Sequence, residues 1–421
     1  MEFFRKYKKV WLIIAFLAVV ALLAYLLWAF FFKQQLEPGG ITEIGGNIGG
    51  LDLSGEGSGN YSTSTGTGRL DTGDNPTTDG GQNSQGNTSG EGADQLAVGG
   101  ITQVASVVND PVLSPFMTNG GSLQYYNEND GKFYRLDDNG QPVALSDKVF
   151  YKVDDVTWSA DGDRAILEYP DGSKISYNFD TNRQVTLPKH WEDFSFSPDS
   201  TQISAKSMGD DVENRYLIVA NADGSKAKSL SAIGNNADDV YPVWSPNNQA
   251  AAMYTQGVDF NRQEVFFVGL NDENFKSTII NGRGFEPLWS DSGDKLLYSV
   301  YSSDNGMNPS LWIVNAQGDN IGQNRTNLGL VTWAQKCTFA SNSDLYCAVP
   351  SSLREGAGLF PELADGTNDL LYKIDLKTGA KKLIAIPETE ATISNIMVSS
   401  SQDNLYYTDS QTGGIYSIKL K

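Results

Sequence analysis

A short motif, made of a bulky residue and a polar turn, returns seven times along this chain of 421 residues. Each copy, as in VTWSADGDRAILEY or PVWSPNNQAAAMY, has the bulky residue before the turn and a second apolar run after it. The bulky residues are Phe116, Trp158, Phe196, Trp244, Trp289, Phe339 and Val398, which lie 42, 38, 48, 45, 50 and 59 residues apart in turn. A period of about 40–50 residues with strand signals predicts a β-propeller with one blade per repeat.

The motif itself has the pattern of a β-hairpin. In YPVWSPNNQAAAMYTQ, one strand is expected to enter through Val243 and Trp244, and a second to leave through Ala250 to Tyr254. Pro presets φ and Asn tolerates left-handed backbone, so Ser-Pro-Asn-Asn favours a turn. The bulky residue is expected to pack between neighbouring blades, because one repeat cannot bury its apolar face alone.

Two further strands follow the hairpin in every repeat but the last. A third apolar strand ends in a Gly, Asn or Asp turn, as in LIVANADGSK, and a fourth strand is more polar, as in QVTLP. We therefore predict an all-β fold over residues 99–421, a seven-bladed β-propeller of four-stranded antiparallel blades. It is expected to be preceded by one transmembrane helix and a disordered linker.

The last repeat has one strand too few. The chain ends just after IYSIKL, residues 415–420, so blade seven has only three strands of its own. At the other end, ITQVASVV (residues 101–108) precedes the first repeat and has no partner. We predict that residues 101–108 supply the missing strand and close the ring, which removes an open and aggregation-prone sheet edge.

Residues 10–32 are 23 apolar residues without a charge, Gly or Pro. At about 1.5 Å per residue, such a helix spans the roughly 30 Å hydrocarbon core of a bilayer. Four basic residues precede it within residues 1–9, and only Lys33 follows closely, so the positive-inside rule places residues 1–9 in the cytoplasm. We predict a single-pass cell-membrane protein with an extracytoplasmic propeller.

A cleaved signal peptide is the alternative interpretation of this segment. Its apolar core would be about 7–15 residues long and would be followed by an A-x-A-like site.

Residues 33–98 are predicted to be a flexible linker, because Gly, Ser, Thr and Asn dominate and large apolar residues nearly vanish.

The composition excludes several classes of function. The chain has 51 acidic and 31 basic side chains, a net charge of −20, which disfavours nucleic acid and anionic lipid head groups. One histidine and two cysteines cannot form a metal site that needs two histidines or many cysteines. The single histidine, His190, lacks the sequence signature of a catalytic triad and is interpreted as a linker residue between two strands. No cofactor motif is visible.

The two cysteines, Cys337 and Cys347, lie ten positions apart in CTFASNSDLYC. If Asn342 is the centre of the hairpin turn, they oppose each other across two strands and can form a disulfide. The predicted compartment permits such a bond. Two buried free thiols are the alternative.

The turn sequences resemble those of the TolB-like, or WD-like, β-propeller family of the bacterial periplasm. The resemblance rests on W-S-P-D-G-like turns (WSADGD, FSPDS, WSPNN, WSDSGD) and on VANADGS and VNAQGD, and it covers about residues 100–421. TolB itself has six blades behind an α/β domain and no membrane anchor, so this chain departs from it. The resemblance implies the fold and a binding role, and it names no partner.

Acidic residues recur just before the first strand of several blades. Besides Asp110, they are Asp154, Asp155, Glu192, Asp193, Asp238, Asp239 and Glu286. In a propeller these positions surround one mouth of the central channel, together with loops such as residues 350–369. A ring of carboxylates focuses a negative potential, so it is predicted to receive a cation or a basic segment of a partner protein. The alternative is that these acids only solvate turns.

These observations favour a protein-binding or scaffold module of the cell envelope that is not an enzyme. A carbohydrate-active enzyme is the alternative, in which two carboxylates at the channel mouth would lie about 5–10 Å apart across a cleft. A third possibility is a module that binds an envelope glycan through loop aromatics.

Overall fold

The computed structural model describes residues 93–421, in which seven β-sheets form the blades of a propeller. The all-β, seven-bladed architecture with four-stranded antiparallel blades predicted from the repeat is thereby confirmed. The predicted tail (1–9), transmembrane helix (10–32) and most of the linker (33–98) lie outside the described residues. Between residues 93 and 421, no helix has the length and apolar composition needed to cross a membrane.

Blades one to four each use four strands in chain order, and two short strands precede them. The strands are β1 Ile101–Thr102 and β2 Ala105–Val108; in blade one β3 Val112–Met117, β4 Leu123–Asn127, β5 Lys132–Leu136 and β6 Pro142–Ala144; in blade two β7 Asp155–Trp158, β8 Arg164–Glu168, β9 Lys174–Asn178 and β10 Arg183–Leu187; in blade three β11 Trp191–Phe196, β12 Gln202–Met208, β13 Arg215–Asn221 and β14 Lys228–Ala232; in blade four β15 Val240–Tyr241, β16 Ala252–Asp259, β17 Arg262–Val268 and β18 Thr278–Asn281.

Blades five to seven continue the pattern, and short 3-10 helices occupy several loops. The strands are β19 Arg283–Trp289, β20 Lys295–Tyr301, β21 Pro309–Asn315 and β22 Thr326–Asn327 in blade five; β23 Cys337–Ser341, β24 Asp344–Pro350, β25 Asp369–Asp375 and β26 Lys381–Pro387 in blade six; and β27 Ile393–Val398, β28 Asn404–Asp409 and β29 Ile415–Lys419 in blade seven. The 3-10 helices are Val212–Asn214, Ala237–Asp239, Ser303–Asn305, Gly318–Asn320, Ala334–Lys336 and Pro361–Ala364.

Strand β2 closes the ring as predicted. It pairs antiparallel with β29 at the chain's other end, with Ala105 opposite Ser417 and Val108 opposite Ile415. The buried Val108 side chain belongs to a cluster that contains Ile415 of blade seven and Tyr125 of blade one. The closing strand therefore completes blade seven and also packs that blade against blade one.

The first part of the predicted closing segment has a different role. Strand β1 pairs in parallel with β26, with Ile101 opposite Ile386, so blade six has a fifth strand. Contacts with the blades begin still earlier, since the Ala97 N–H donates to the Lys419 carbonyl at 2.9 Å. Residues 93–98, which composition assigned to the linker, thus already lie against the propeller.

As expected, the bulky residues pack between neighbouring blades: most contact the preceding blade, whereas Phe116 stacks on Trp158 of the following blade, with ring centroids 6.4 Å apart. The indole Nε1 of Trp158 donates to the Ser114 carbonyl of blade one at 2.8 Å, and that of Trp289 donates to the Val243 carbonyl of blade four at 3.2 Å. Most of the seven bulky residues are buried, whereas Phe116 and Val398 are half-buried. Each blade is therefore fastened to its neighbour by packing and, in blades two and five, by an indole hydrogen bond.

The serine after the bulky residue holds the hairpin turn together. Its buried hydroxyl accepts a backbone N–H at or just before the start of the next strand, and it also donates to the turn's acid or amide. Four copies show this arrangement: Ser159 with Arg164 N (2.9 Å) and Asp161, Ser197 with Gln202 N (2.9 Å) and Asp199, Ser245 with Ala250 N (2.8 Å) and Asn247, and Ser290 with Lys295 N (3.1 Å) and Asp294. Buried N–H groups need hydrogen-bond partners, and the serine hydroxyl supplies one at this turn, which gives a physical reason for a serine at this position of the motif.

Blade four departs from the predicted hairpin. Strand β15 ends at Tyr241, and Trp244 lies outside any strand. Pro242 has no N–H to add to the ladder, and the Val243 N–H turns back to the Tyr241 carbonyl at 2.9 Å. The expectation that a strand runs through Val243 and Trp244 was therefore wrong, although the Trp244 side chain is buried as expected.

The two cysteines lie opposite each other across β23 and β24. Their register pairs Cys337 with Cys347, and the two sulfurs form a disulfide whose Cα atoms are 4.1 Å apart. Both residues belong to the apolar cluster shared by blades five and six. The bond therefore fixes the first hairpin of blade six.

Candidate functional site

Two sets of loops reach the same face of the propeller, which we call the loop face. In an antiparallel blade, the connection into the first strand and the loop between the second and third strands lie at the same end of the sheet. Blade four shows this directly, since Thr255 Oγ1 on β16 donates to Asp239 Oδ1 before β15 at 3.2 Å. The loop face thus combines the predicted acids with the longest loops.

The predicted acids lie on this face along four consecutive blades. Asp154 precedes and Asp155 begins the first strand of blade two, and Asp238 and Asp239 precede that of blade four. The expectation that all of these acids precede a first strand was wrong for Glu192 and Asp193, which lie inside β11 of blade three, and for Glu286, the fourth residue of β19 in blade five. All are exposed except Glu286, which is largely buried. We call these seven residues the acidic rim.

Blades two and three neutralise part of the rim. Asp193 forms an ion pair with the mostly buried Lys206 at 2.6 Å. Beside them, Glu168 is paired with Lys174 at 3.4 Å. Burial raises the pKa of Glu168, and the nearby charges of Asp155 and Asp193 act in the same direction. Asp155 lies directly opposite Glu168 across β7 and β8, and Glu168 is a residue that the sequence reasoning missed.

The charges of three rim acids act on one tyrosine of blade four, Tyr241. Burial raises the pKa of Tyr241, and the charges of Asp239, Glu286 and Asp238 raise it further. Glu286 accepts a hydrogen bond from Ser299 Oγ at 3.0 Å, while burial raises the pKa of its own carboxyl group. The half-buried ring of Tyr241 packs against that of Phe285, the residue before Glu286, with ring centroids 5.4 Å apart, so blades four and five meet at this tyrosine.

A cleft of about 460 Å³ opens between blades three and four next to these acids. Its apolar floor includes Leu217, Ile233 and Val240, and its walls include Asp239 and Thr255. The cleft exists because β15 is only two residues long, whereas β16 continues past it to Asp259. It is within the usual size of small binding sites, and an acid lies at its wall.

Other acids identified from the sequence have local roles or remain apart. Asp110 accepts hydrogen bonds from the side-chain amides of Asn127 (2.9 Å) and Asn129 (2.8 Å), so it fixes the β4–β5 loop.

His190 is exposed between β10 and β11, as interpreted from the sequence. Within residues 93–421, no group of three or more His, Cys, Asp or Glu side chains is arranged to hold a metal ion.

A buried ion pair in blade six was not predicted at all. Lys336 Nζ contacts both carboxylate oxygens of Asp369, at 2.7 and 2.8 Å, and Asp369 also accepts the backbone N–H of Ile393 in blade seven at 2.7 Å. Burial lowers the pKa of Lys336 and raises the pKa of Asp369, and each charge opposes the shift of the other. The pair links blades six and seven, so its role is structural.

Comparisons with known proteins come from solved structures. No protein-family model and no curated protein matches the chain. The propeller domain of Cps50 (Swd1) from Myceliophteria thermophila is 11% identical, with a TM-score of 0.49, over 76% of this chain and 100% of that chain. An oligogalacturonate lyase from Vibrio parahaemolyticus is 12% identical, with a TM-score of 0.48, over 76% of this chain and 93% of that chain. The tricorn protease is 10% identical, with a TM-score of 0.48, over 75% of this chain and 34% of that chain.

Proposed function

We propose that this chain is a single-pass membrane protein that presents a TolB-like propeller outside the cytoplasm as a protein-binding scaffold. The apolar run at residues 10–32 and the basic residues before it support this orientation. The module binds a basic segment of a partner protein on its loop face and catalyses no reaction.

The observation that carries the binding role is the pairing of the cleft with the acidic rim. Asp239 lines the cleft, and the exposed Asp238 directly precedes it in the chain. Within the described residues, Asp154, Asp155 and Glu192 form no ion pair, so their charges remain for a partner. Grouped charges of one sign raise the local concentration of an oppositely charged segment and speed its association.

Replacing Asp154, Asp155, Asp238 and Asp239 with Asn is expected to weaken binding of a Lys/Arg-rich peptide roughly tenfold or more, because four favourable charge contacts are lost. The measurement is fluorescence anisotropy with the full-length chain in detergent micelles, at low and moderate salt. The substituted residues are exposed, so the fold should be unchanged.

A matched control changes the same number of charges on the opposite face. Asp138, Asp180, Asp272 and Asp319 are exposed and lie in turns between third and fourth strands. Their replacement with Asn should leave the peptide affinity within about twofold of wild type. Equal losses in the two variants would show that only net charge matters and would refute a site on the loop face.

The proposed compartment is tested through the disulfide. When cells are lysed in acid and the denatured chain is treated with a thiol-alkylating reagent, we expect Cys337 and Cys347 to remain unlabelled, because disulfides persist outside the cytoplasm. Labelling after reduction is the control that both sulfurs are accessible. Labelling of both cysteines before reduction would place the domain in a reducing compartment.

A further inference from the structure

Three loops of blades four, five and six join into one surface on the loop face. The tip of the β16–β17 hairpin is tied to the β20–β21 loop, because Asn261 Nδ2 donates to Ser303 Oγ at 2.7 Å and the Ser303 N–H donates to Asn261 Oδ1 at 3.2 Å. We call the surface formed by residues 259–262, 302–308 and 351–368 the loop platform.

The long β24–β25 loop, residues 351–368, is fixed onto blade five. The N–H groups of Gly356 and Gly358 donate to the carbonyls of Gly306 and Met307, both at 2.8 Å. A Cβ atom on Gly358 would lie 2.6 Å from the Cβ atom of Tyr301, so only glycine allows this close approach. The loop also buries Ala357 against Trp333 of blade six. Backbone hydrogen bonds and packing therefore hold this loop in a defined position on blade five.

This fixed surface exposes large apolar side chains. Phe260 at the hairpin tip is 73% exposed, and Leu359 and Phe360 on the long loop are 44% and 53% exposed. Phe260 and Leu359 line the same cavity, of about 230 Å³, together with Tyr301 and Met307. Apolar residues grouped on an ordered surface mark an interaction site, whereas scattered ones need no explanation.

The charges of the platform indicate what covers it. Residues 302–308 and 351–368 contain Asp304, Glu355, Glu362 and Asp365 and one basic residue, Arg354. Arg283 also lines the cavity and donates to the carbonyls of Asp259 and Arg262 at the hairpin tip, so five acidic side chains face three basic ones and the surface keeps a negative balance. Asp259 and Arg262 at the hairpin tip neutralise each other at 2.7 Å. A second copy of this chain, or an anionic membrane, would bring like charge to this surface, whereas a basic polypeptide would bring the opposite charge.

We propose that the loop platform docks a segment of a partner protein in which aromatic or aliphatic anchor residues lie next to Lys or Arg. The anchors cover Phe260, Leu359 and Phe360, and the basic residues face the acids of the two loops. This inference rests on the proposed function and adds an apolar anchor to the charge recognition at the acidic rim.

The test compares two fluorescent peptides on the full-length chain in detergent micelles. One peptide alternates Lys with Phe and Leu, and the other has Ser in place of every Phe and Leu. We expect the wild type to bind the apolar peptide at least tenfold more tightly. The variant Phe260→Ser/Phe360→Ser should lose this preference, because burial of the anchors no longer covers aromatic surface.

The control variant is Val143→Ser/Val185→Ser, which removes two side chains that are 41% and 42% exposed on outer strands of blades one and two. It should keep the full preference, and thermal unfolding of each variant verifies the fold. A platform variant that keeps the preference, or a control that loses it, would overturn the proposal. So would crosslinking of a photoactivatable zwitterionic lipid to residues 351–368 of the wild type that the platform variant abolishes, because that result identifies lipid as the occupant.

The rim variant separates this inference from the proposed function. Replacing the four rim aspartates should lower the affinity for both peptides by the same factor and leave the preference for the apolar peptide intact. If the rim variant has no effect while the platform variant loses the preference, the basic-segment function fails and the apolar docking stands. If the rim variant weakens binding and no peptide preference exists, the reverse holds.

Discussion

The substitution Val108→Asp is expected to destabilise the propeller by roughly 3–5 kcal/mol, as a charged side chain replaces an apolar one in a packed site. Val108 is buried where the closing strand β2 packs against Ile415 of blade seven and Tyr125 of blade one. The change therefore acts where the two ends of the chain meet. Urea unfolding followed by tryptophan fluorescence measures the loss, with the midpoint falling and the transition broadening as the ring opens.

The matched control is Ala105→Asp in the same strand. Ala105 is exposed and pairs with Ser417 in the same ladder, so the substitution adds the same carboxylate without burying it. We expect a change within about 0.5 kcal/mol. If Val108→Asp lowers the free energy of unfolding no more than Ala105→Asp does, β2 contributes little beyond backbone pairing, and the ring is held by blade-to-blade packing instead.

The blade count and the site of closure could be predicted because their signals are local. The bulky residue and its serine turn recur wherever a first hairpin must wedge against a neighbour, and a missing fourth strand can be counted. Strand β1 gives no such signal, since Ile101–Thr102 is only two residues long and its partner β26 lies far away in sequence. The strand through Trp244 was predicted wrongly because the apolar pattern outweighed the missing donor at Pro242.

The position of Asp154, Asp238 and Asp239 could also be predicted, since a residue just before a first strand must lie on the loop face. The pairing of the acidic rim's members could not. Lys206 neutralises Asp193 only because the β11–β12 ladder, which contains a bulge after Glu192, brings the two side chains together. The loop platform could not be predicted either. Residues 350–369 contain Leu359 and Phe360 but have no strand or helix period, and the position of the loop depends on its hydrogen bonds to blade five.

The buried pair of Lys336 and Asp369 leads to the second large effect. Asp369→Ala is expected to cost roughly 3–5 kcal/mol, because it leaves the Lys336 charge buried without a partner and the Ile393 N–H without an acceptor. Asp403→Ala is the matched control, since Asp403 pairs with Lys421 on the surface and exposed pairs contribute about 0–1 kcal/mol.

A double substitution distinguishes a stranded charge from a lost attraction. In Lys336→Met/Asp369→Asn, neither charge remains, and the Asn side-chain oxygen can still accept the Ile393 N–H. Replacing a buried ion pair by neutral groups is often close to neutral, so we expect this variant to be at least 2 kcal/mol more stable than Asp369→Ala in urea unfolding, on the order of the penalty for one unpaired buried charge. A double variant as unstable as the single one would instead show that the attraction itself holds blades six and seven together.

The pH dependence of the single variant Lys336→Met shows whether its loss of stability comes from an unpaired Asp369 carboxylate. Burial raises the pKa of Asp369, and the charge of Lys336 is what opposes that rise in the wild type. Without the lysine, the folded state favours the protonated carboxyl of Asp369 more strongly than the unfolded state does. The contribution of this carboxyl to the free energy of unfolding is therefore greatest below its unfolded pKa of about 4, and it is lost as the pH rises through its folded pKa. The deficit of Lys336→Met relative to wild type should therefore be small at pH 4 and large at pH 7. A deficit that is independent of pH would mean that Asp369 stays accessible enough to water to ionise without its partner.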